Sequence, residues 1–433
     1  MSKGAKRSSK KNTPSKRSAT RASKKQVTRP VRAPTKQKPS SQGRISLEWI
    51  GTSLAVLVLS LLLGGHVLSD PTHGAWMQAL EHARAVLGAW HIPVPVSAQT
   101  WTSWKHTIHT FTTACFFLSG ARSSKLPSGL WDRFTSLWFP SVPVEYERSP
   151  YDICFAVTWG LILLVARTAF MHLLLLPLAR VLVSHPKGYV HADAKSGKRL
   201  RRKVDRFAEQ GWILVLYATS LVLVVAVSRR QPFWPWKPEQ LWLNYPRTTM
   251  DALTKAVYLW EASNYIHQLF VINLEERRSD FAQMLTHHFV TILLIGGSYA
   301  CCFHPVGIVV LLLMDPADVC LSSAKLLKYM GFQTLTDITF GIFMIVWFIT
   351  RHVAYAFVWW SCYRDAPAII RFSDRLDVVS GHALTPLSYV VFLALLATLQ
   401  IILLIWFGMI VKVAARVLTQ QGAIDSRSDD SDA

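Results

Sequence analysis

The sequence predicts an all-α polytopic membrane protein of about eight transmembrane helices, the last six forming a helical bundle. Three observations carry this reading. Apolar residues make up 51% of the 433, with a mean hydropathy of +0.25, a balance that suits a bilayer better than water. Several apolar runs approach the roughly 20 residues a helix needs to cross the hydrocarbon. A backbone in lipid must also satisfy its own polar groups, so such runs are helices.

Taken in order, residues 1–44 hold 15 of the 47 Lys and Arg, ahead of the first acidic residue, Glu48, so the remainder carries 32 − 26, or +6. A segment so basic and so rich in Ser, Thr and Pro cannot bury enough apolar surface to fold, and it is expected to be a disordered cytosolic tail. Basic charge ahead of a membrane span is what the positive-inside rule places in the cytosol, and this displaces a nucleic-acid reading. A first anchor over 45–69 follows, retained because its basic flank is too long for a cleaved signal. Residues 70–151 are expected to form a lumenal loop with short amphipathic pieces. A second transmembrane helix over 152–184, containing Arg167, His172 and Pro177, returns to a basic cytosolic loop over 185–206. Six further spans, at about 212–227, 255–272, 285–303, 306–324, 338–360 and 386–413, fall within a domain over 207–413. An acidic tail, 414–433, is then cytosolic like the N-terminus. Phe233, Trp234, Trp236, Trp242 and Tyr245 lie among prolines between spans, a composition suited to interfacial anchoring. The six cysteines show neither zinc spacing nor a secreted disulfide framework.

Polar residues inside spans are the functional candidates. Glu261, Asn264 and Gln268 form a stripe along one side of the weakly hydrophobic fourth span, with His267 nearby. Such a stripe cannot face lipid. His287 and His288 stand near the cytosolic start of the fifth span, and Asp315 and Asp318, three apart, share one face of the sixth. Carboxylates in hydrocarbon need partners, and the imidazoles of the neighbouring helix are the expected ones. A carboxylate on one ring nitrogen would orient the ring and raise the basicity of the other nitrogen. No metal is expected, because adjacent histidines diverge by about 100° on a helix and no metalloenzyme spacing is present. Arg351 and His352 form a third buried-charge candidate, either paired with an aspartate or placed at an interface. Ser426, Ser428 and Ser431 lie among aspartates and are candidate phosphorylation sites, against the alternative of a solvated tail.

The stretch from Asn273 through Arg277, Arg278, Asp280, Gln283, Met284, His287 and His288, on to Ser298, Tyr299, Met314, Asp315, Pro316, Ala317, Asp318, Lys325 and Tyr329, resembles the signature motif of ceramide synthases. Phe207 to Trp212, Tyr245, Pro246, Trp347, Arg351 and His352 resemble the fungal branch. One departure is that Cys302 and Pro305 stand where relatives often carry Asn or His and then a basic residue. It bears on acyl-chain geometry more than on activity. The resemblance implies a six-helix TLC bundle and an endoplasmic-reticulum acyltransferase that joins the acyl group of a long or very-long acyl-CoA to the amine of a sphingoid base. Acyl-CoA is then a co-substrate, with no bound cofactor. Amide formation needs a base for the protonated amine, or an imidazole that first accepts the acyl group, and the resemblance favours His287 for the second role. Asp315 and Asp318 would orient the imidazoles. Arg277, Arg278, Lys325 and Lys328 could meet the CoA phosphates, while Glu261, Asn264, Gln268, Tyr299, Arg351 and His352 are the remaining substrate-binding candidates. Fungal relatives imply a homo- or hetero-dimer with a related synthase and a small single-span accessory subunit. The alternatives are a non-enzymatic TLC-domain lipid sensor, carrier or translocation factor, which need not keep paired His and paired Asp, and a proton-coupled transporter.

Overall fold

The computed structural model describes residues 41–69, 98–122, 144–185, 194–232, 237–274, 280–377 and 383–418. Most of the predicted basic tail and the acidic tail lie outside them, as do Phe233, Trp234 and Trp236. Among the described residues the chain is helical apart from one short two-stranded sheet. The helices are α1 (Ser41–Ser69), α2 (Ala98–Phe116), α3 (Asp152–Leu182), α4 (Ala194–Ser228), α5 (Ala252–Leu274), α6 (Phe281–Ala300), α7 (His304–Met330), α8 (Gln333–Ile369) and α9 (Pro386–Leu418). Of these, α1, α3, α4, α7, α8 and α9 are long and apolar enough to cross a membrane. Eight spans were expected; α5 and α6, which carry the polar stripe and the histidines, are helical but are not among these six.

Three local features shape the bundle. In α3 a π-helical turn at Met171–Leu175 sits just ahead of Pro177, where the missing N–H and the ring displace the normal ladder. A second π-turn, Ile349–Ala354, interrupts α8 and holds Arg351 and His352; such turns recur at functional sites. Third, the basic segment expected to be a loop over 185–206 is helical from Ala194, so α4 runs 35 residues. At 1.5 Å per residue this is about 52 Å, against roughly 30 Å of hydrocarbon. Its basic turns therefore overhang the span, and Lys203 donates to the Ser184 carbonyl and hydroxyl at the end of α3, both at 2.8 Å. That side of the bundle is called here the basic end, and the opposite side the distal end.

Helix α7 packs against α4 and α8, α5 against α3 and α6, and α6 against α9. Their shared core includes Val224, Tyr258, Phe343, Tyr355, Leu399 and Leu403, all almost wholly buried. Trp242, expected at the interface, belongs to this core: it is 4% exposed and donates to the Ser361 hydroxyl at 2.9 Å. Tyr245 stacks on Phe303 at 5.1 Å. Burial pushes its phenol up to about 12, against the lowering effect of a hydrogen bond at the Ala383 backbone. An aromatic ring beside prolines anchors an interface only where the chain leaves the bundle, and here it folds back over the distal end.

The distal end is tied together by strands β1 (Glu145–Glu147) and β2 (Thr249–Asp251), paired antiparallel with Tyr146 opposite Met250. Gly120, at φ +73°, brings its carbonyl to the Glu147 N–H at 2.7 Å, and a Cβ there would strike the Glu147 backbone. Beneath this turn the Lys255 side chain is fully buried. Its ammonium meets Asp152 Oδ1 at 2.9 Å and the carbonyls of Ser119 and Glu147 at 2.7 Å each, so all three donors are used. Asp152 also accepts from the Ser119 hydroxyl at 2.7 Å, the Ser149 N–H at 2.8 Å and the Tyr299 hydroxyl at 2.7 Å. Removing one member of a buried pair strands the other charge, at a cost of about 3–5 kcal/mol. Lys255→Met is therefore expected to lower the unfolding temperature of the detergent-solubilised protein sharply, and Lys255→Met with Asp152→Asn to recover part of the loss. A single variant as stable as the parent would show that the pair is not a structural element.

Candidate active site

His287 and His288 lie six and seven residues into α6 from its basic end, about 10 Å along the axis. Their rings are 5.5 Å apart and inclined by 52°. Both sit edge-on to Tyr265 of α5, at 6.2 and 5.9 Å, and His287 is also edge-on to Trp406 of α9 at 5.3 Å. His288 is 4% exposed, whereas His287 keeps part of its surface open. What His287 opens onto is a cavity lined almost wholly by apolar side chains. Thr291, Leu294 and Ser298 continue one face of α6 down its wall, opposite Leu311 of α7 and Leu396 of α9, and Trp242 and Phe303 lie at the distal end. The Tyr258 and Ser298 hydroxyls hydrogen-bond to each other. At Gly307 a Cβ would fall on the Tyr258 hydroxyl, so glycine is what lets α5 and α7 approach at this level.

The carboxylates are placed differently from expectation. Asp318 accepts from Arg351 Nη2 at 2.6 Å. Arg351, 4% exposed, also donates to the Met314 carbonyl at 2.7 Å and lies 4.0 Å over the Trp347 ring. Nδ1 of His287, Nδ1 of His288 and Oδ2 of Asp315 have no hydrogen-bond partner, so the expected carboxylate–imidazole bond is absent. The reason is geometric. Pairing with Arg351 draws Asp318 toward the π-turn of α8, and Asp315 has Glu261, Asp318 and Arg351 as its charged neighbours. Tyr265 stands between the two groups, touching both imidazoles and lying within electrostatic reach of Asp315, Asp318 and Glu261. For Arg351, the open choice between an aspartate and an interface resolves to the aspartate.

The polar stripe of α5 faces α4. Tyr217 donates to Gln268 at 3.0 Å, Gln268 to Asn264 at 3.0 Å, and Asn264 and Trp260 approach the Ser220 hydroxyl at 3.4 and 3.2 Å. Glu261 is buried in the same seam, 1% exposed. It is Tyr258 and Tyr265, from the adjoining face of α5, that line the cavity. Tyr299 is held by Asp152 and stacks on Tyr258 at 5.7 Å, and His352 pairs with Gln400 at 2.8 Å beside Phe407. Neither of them lines the cavity. Lys325 and Lys328 lie on the basic-end turns of α7, and Arg277, Arg278, Ser426, Ser428 and Ser431 fall outside the described residues. Tyr265, Tyr217 and Trp406 were not singled out from sequence, because an aromatic residue in an apolar run carries no signal of its own. The Tyr265 position beside Asn264 in the polar stripe was the available hint.

A multi-pass helical bundle with ionisable side chains gathered at one end of an apolar cavity defines a membrane protein that handles lipid within the bilayer. The TLC-domain family matches residues 206–412. Sphingosine N-acyltransferase lag1 of Schizosaccharomyces pombe is 36% identical over 286 residues, covering 66% of this chain and 69% of its own length. Ceramide Synthase FUM18 of Gibberella moniliformis is 35% identical over 308 residues, covering 66% and 69%, and ceramide synthase LOH1 of Arabidopsis thaliana is 30% identical over 252 residues, covering 55% and 78%. The chain belongs to the sphingosine N-acyltransferase, or ceramide synthase, family.

Charge-assisted hydrogen bonds contribute about 1.5–3 kcal/mol, so Arg351→Met is expected to lower turnover about ten- to hundred-fold. Arg351→Lys should restore only part of it, since an ammonium cannot stack on Trp347 and reach two acceptors in the same plane. A double-mutant cycle with Asp318→Asn is the check, and strict additivity of the two losses would contradict the pairing.

Proposed function

We propose that this protein makes ceramide at the head of the apolar cavity, with His287 taking the acyl group from acyl-CoA and passing it to the amine of a sphingoid base. The observation that carries this reading is that His287 is the imidazole of the cavity lining, with a long apolar slot leading away from it. An acyl chain entering from the basic end fills the slot and leaves its thioester beside the ring. A ring nitrogen attacks the carbonyl, the C–S bond breaks, and CoA leaves as a thiolate that takes up a proton. The unprotonated amine then attacks the acyl-imidazole, the C–N bond to the ring breaks, and the imidazole recovers its neutral form as the surplus proton passes to solvent. Tyr265 in the cavity wall and Trp406 edge-on to His287 exclude water, which would otherwise hydrolyse such an intermediate.

In this reading Arg351 and Asp318 hold α7 against α8 beside the reaction centre, and Asp315, with its unpartnered Oδ2, receives the incoming ammonium. Glu261, Asn264 and Gln268 fix α5 against α4, keeping Tyr265 in register. Arg277, Arg278, Lys325 and Lys328 meet the CoA phosphates at the mouth. The domain over 207–413 is the catalytic unit, preceded by the tail over 1–44, the anchor over 45–69 and the helix over 152–184. The protein resides in the endoplasmic-reticulum membrane with both termini cytosolic, following the basic charge around α4. It works as a dimer with a small single-span subunit, and phosphate is carried at Ser426, Ser428 or Ser431.

Purified protein supplied with acyl-CoAs of graded length and a sphingoid base is expected to form amide. His287→Ala should lose at least about 10²-fold in rate, and His288→Ala less. Absence of amide with every donor would favour the lipid-carrier reading. Direct attack within a ternary complex is the competing route. With acyl-CoA alone, the acyl-histidine route releases about one CoA per site, whereas direct attack releases none until the amine is added.

A further inference from the structure

Cys115 lies in the last turn of α2 and Cys154 in the first turn of α3, at the distal end of the bundle. Cys115 is 1% exposed and Cys154 partly buried. The two thiols are near neighbours, and the Thr158 hydroxyl lies against Cys115. The surrounding backbone is held on both flanks. Trp159 donates to the Phe116 carbonyl at 3.4 Å, and the Ser119 hydroxyl donates to Asp152 at 2.7 Å. Farther out, Ala121 bridges Tyr146, and the Arg122 N–H reaches the Glu145 carbonyl at 2.9 Å. Two segments held together this way keep the two cysteines beside each other, the first condition for a disulfide.

The compartment follows from charge. Helix α3 leaves Asp152 and ends beside the basic turns of α4, which the positive-inside rule assigns to the cytosol. Cys115 and Cys154 are therefore on the opposite side, where disulfides form and persist.

We propose that Cys115 and Cys154 are joined by a disulfide in the mature protein. The oxidant is a disulfide-bearing thiol oxidoreductase of the non-cytosolic compartment. One thiolate attacks its S–S bond to give a mixed disulfide, and the second displaces it. One protein S–S bond forms, the oxidant's S–S bond breaks, and two electrons and two protons pass to its sulfurs. The bond closes residues 116–153 into a loop that contains β1 and Asp152, and so fixes the turn against which Lys255 and Tyr299 are docked. It stands independently of the acyl-transfer reading.

The test uses the full chain expressed in a eukaryotic membrane, denatured in maleimide without reductant and digested. The expected result is a cross-linked peptide pair containing Cys115 and Cys154, neither labelled until reductant is added. Cys115→Ser should make Cys154 reactive to maleimide before reduction, and Cys154→Ser should do the same for Cys115, a readout that does not require the variants to be stable. Reductant should lower the unfolding temperature of the parent and leave the double-serine variant unmoved. Full maleimide labelling of both cysteines without reduction, or a cross-link from either to Cys301 or Cys302, would overturn the proposal.

Discussion

One fully buried ammonium organises the distal third of the molecule. Lys255 starts α5, but its three donors bind groups from the turn after α2, from β1 and from the first residue of α3, and its counter-ion Asp152 reaches on to Tyr299 of α6. A charge placed at such depth is tolerable only when its hydrogen-bonding capacity is filled. That requirement dictates where four separate pieces of chain must meet. With them in place, Tyr258 and Tyr299 stack, Tyr258 reaches Ser298, and the far wall of the cavity is closed.

The opposite end follows a different electrostatic logic. Arg351 brings one positive charge to a seam that also holds Asp315, Asp318 and Glu261, so the local acid excess is only partly matched. The guanidinium meets it by dividing its interactions among a carboxylate, a backbone carbonyl and an indole face, a combination that its planar fork permits. The π-turn of α8 is the backbone adjustment that aims it. The Lys255–Asp152 pair, with its donors filled, acts as a support at the distal end, while Nδ1 of His287 and Oδ2 of Asp315 are left without partners where chemistry is proposed.

The spans were legible because twenty-residue apolar runs admit one backbone solution in lipid, and His287, His288, Asp315 and Asp318 stood out as candidates because ionisable groups are rare there. What could not be read was rotation. Spacing placed Glu261, Asn264 and Gln268 on one face, but whether that face met the cavity or α4 depended on Ser220 and Tyr217, some fifty residues earlier. Likewise the two aspartates were correctly paired on α7, yet Arg351 lies 33 residues beyond Asp318, and no local pattern states that it outcompetes the histidines. Trp242 was misjudged because composition records an aromatic residue among prolines and not the fold-back that buries it. The helical run of the basic segment was missed because charge density was read as loop, although Lys and Arg are good helix formers.

That last feature carries a consequence for where the reaction stands relative to the membrane plane. The overhanging, positively charged turns of α4 extend beyond the hydrocarbon and bind the end of α3 through Lys203 and Ser184. Anionic headgroups attract such turns by about 1 kcal/mol per basic residue near the surface. A charged collar of this kind would rest on the lipid phosphates and set how deep the bundle sits. The proposed acyl carrier, His287, would then stand at one height below that plane, within reach of a water-soluble thioester from one side and a membrane-resident amine from the other.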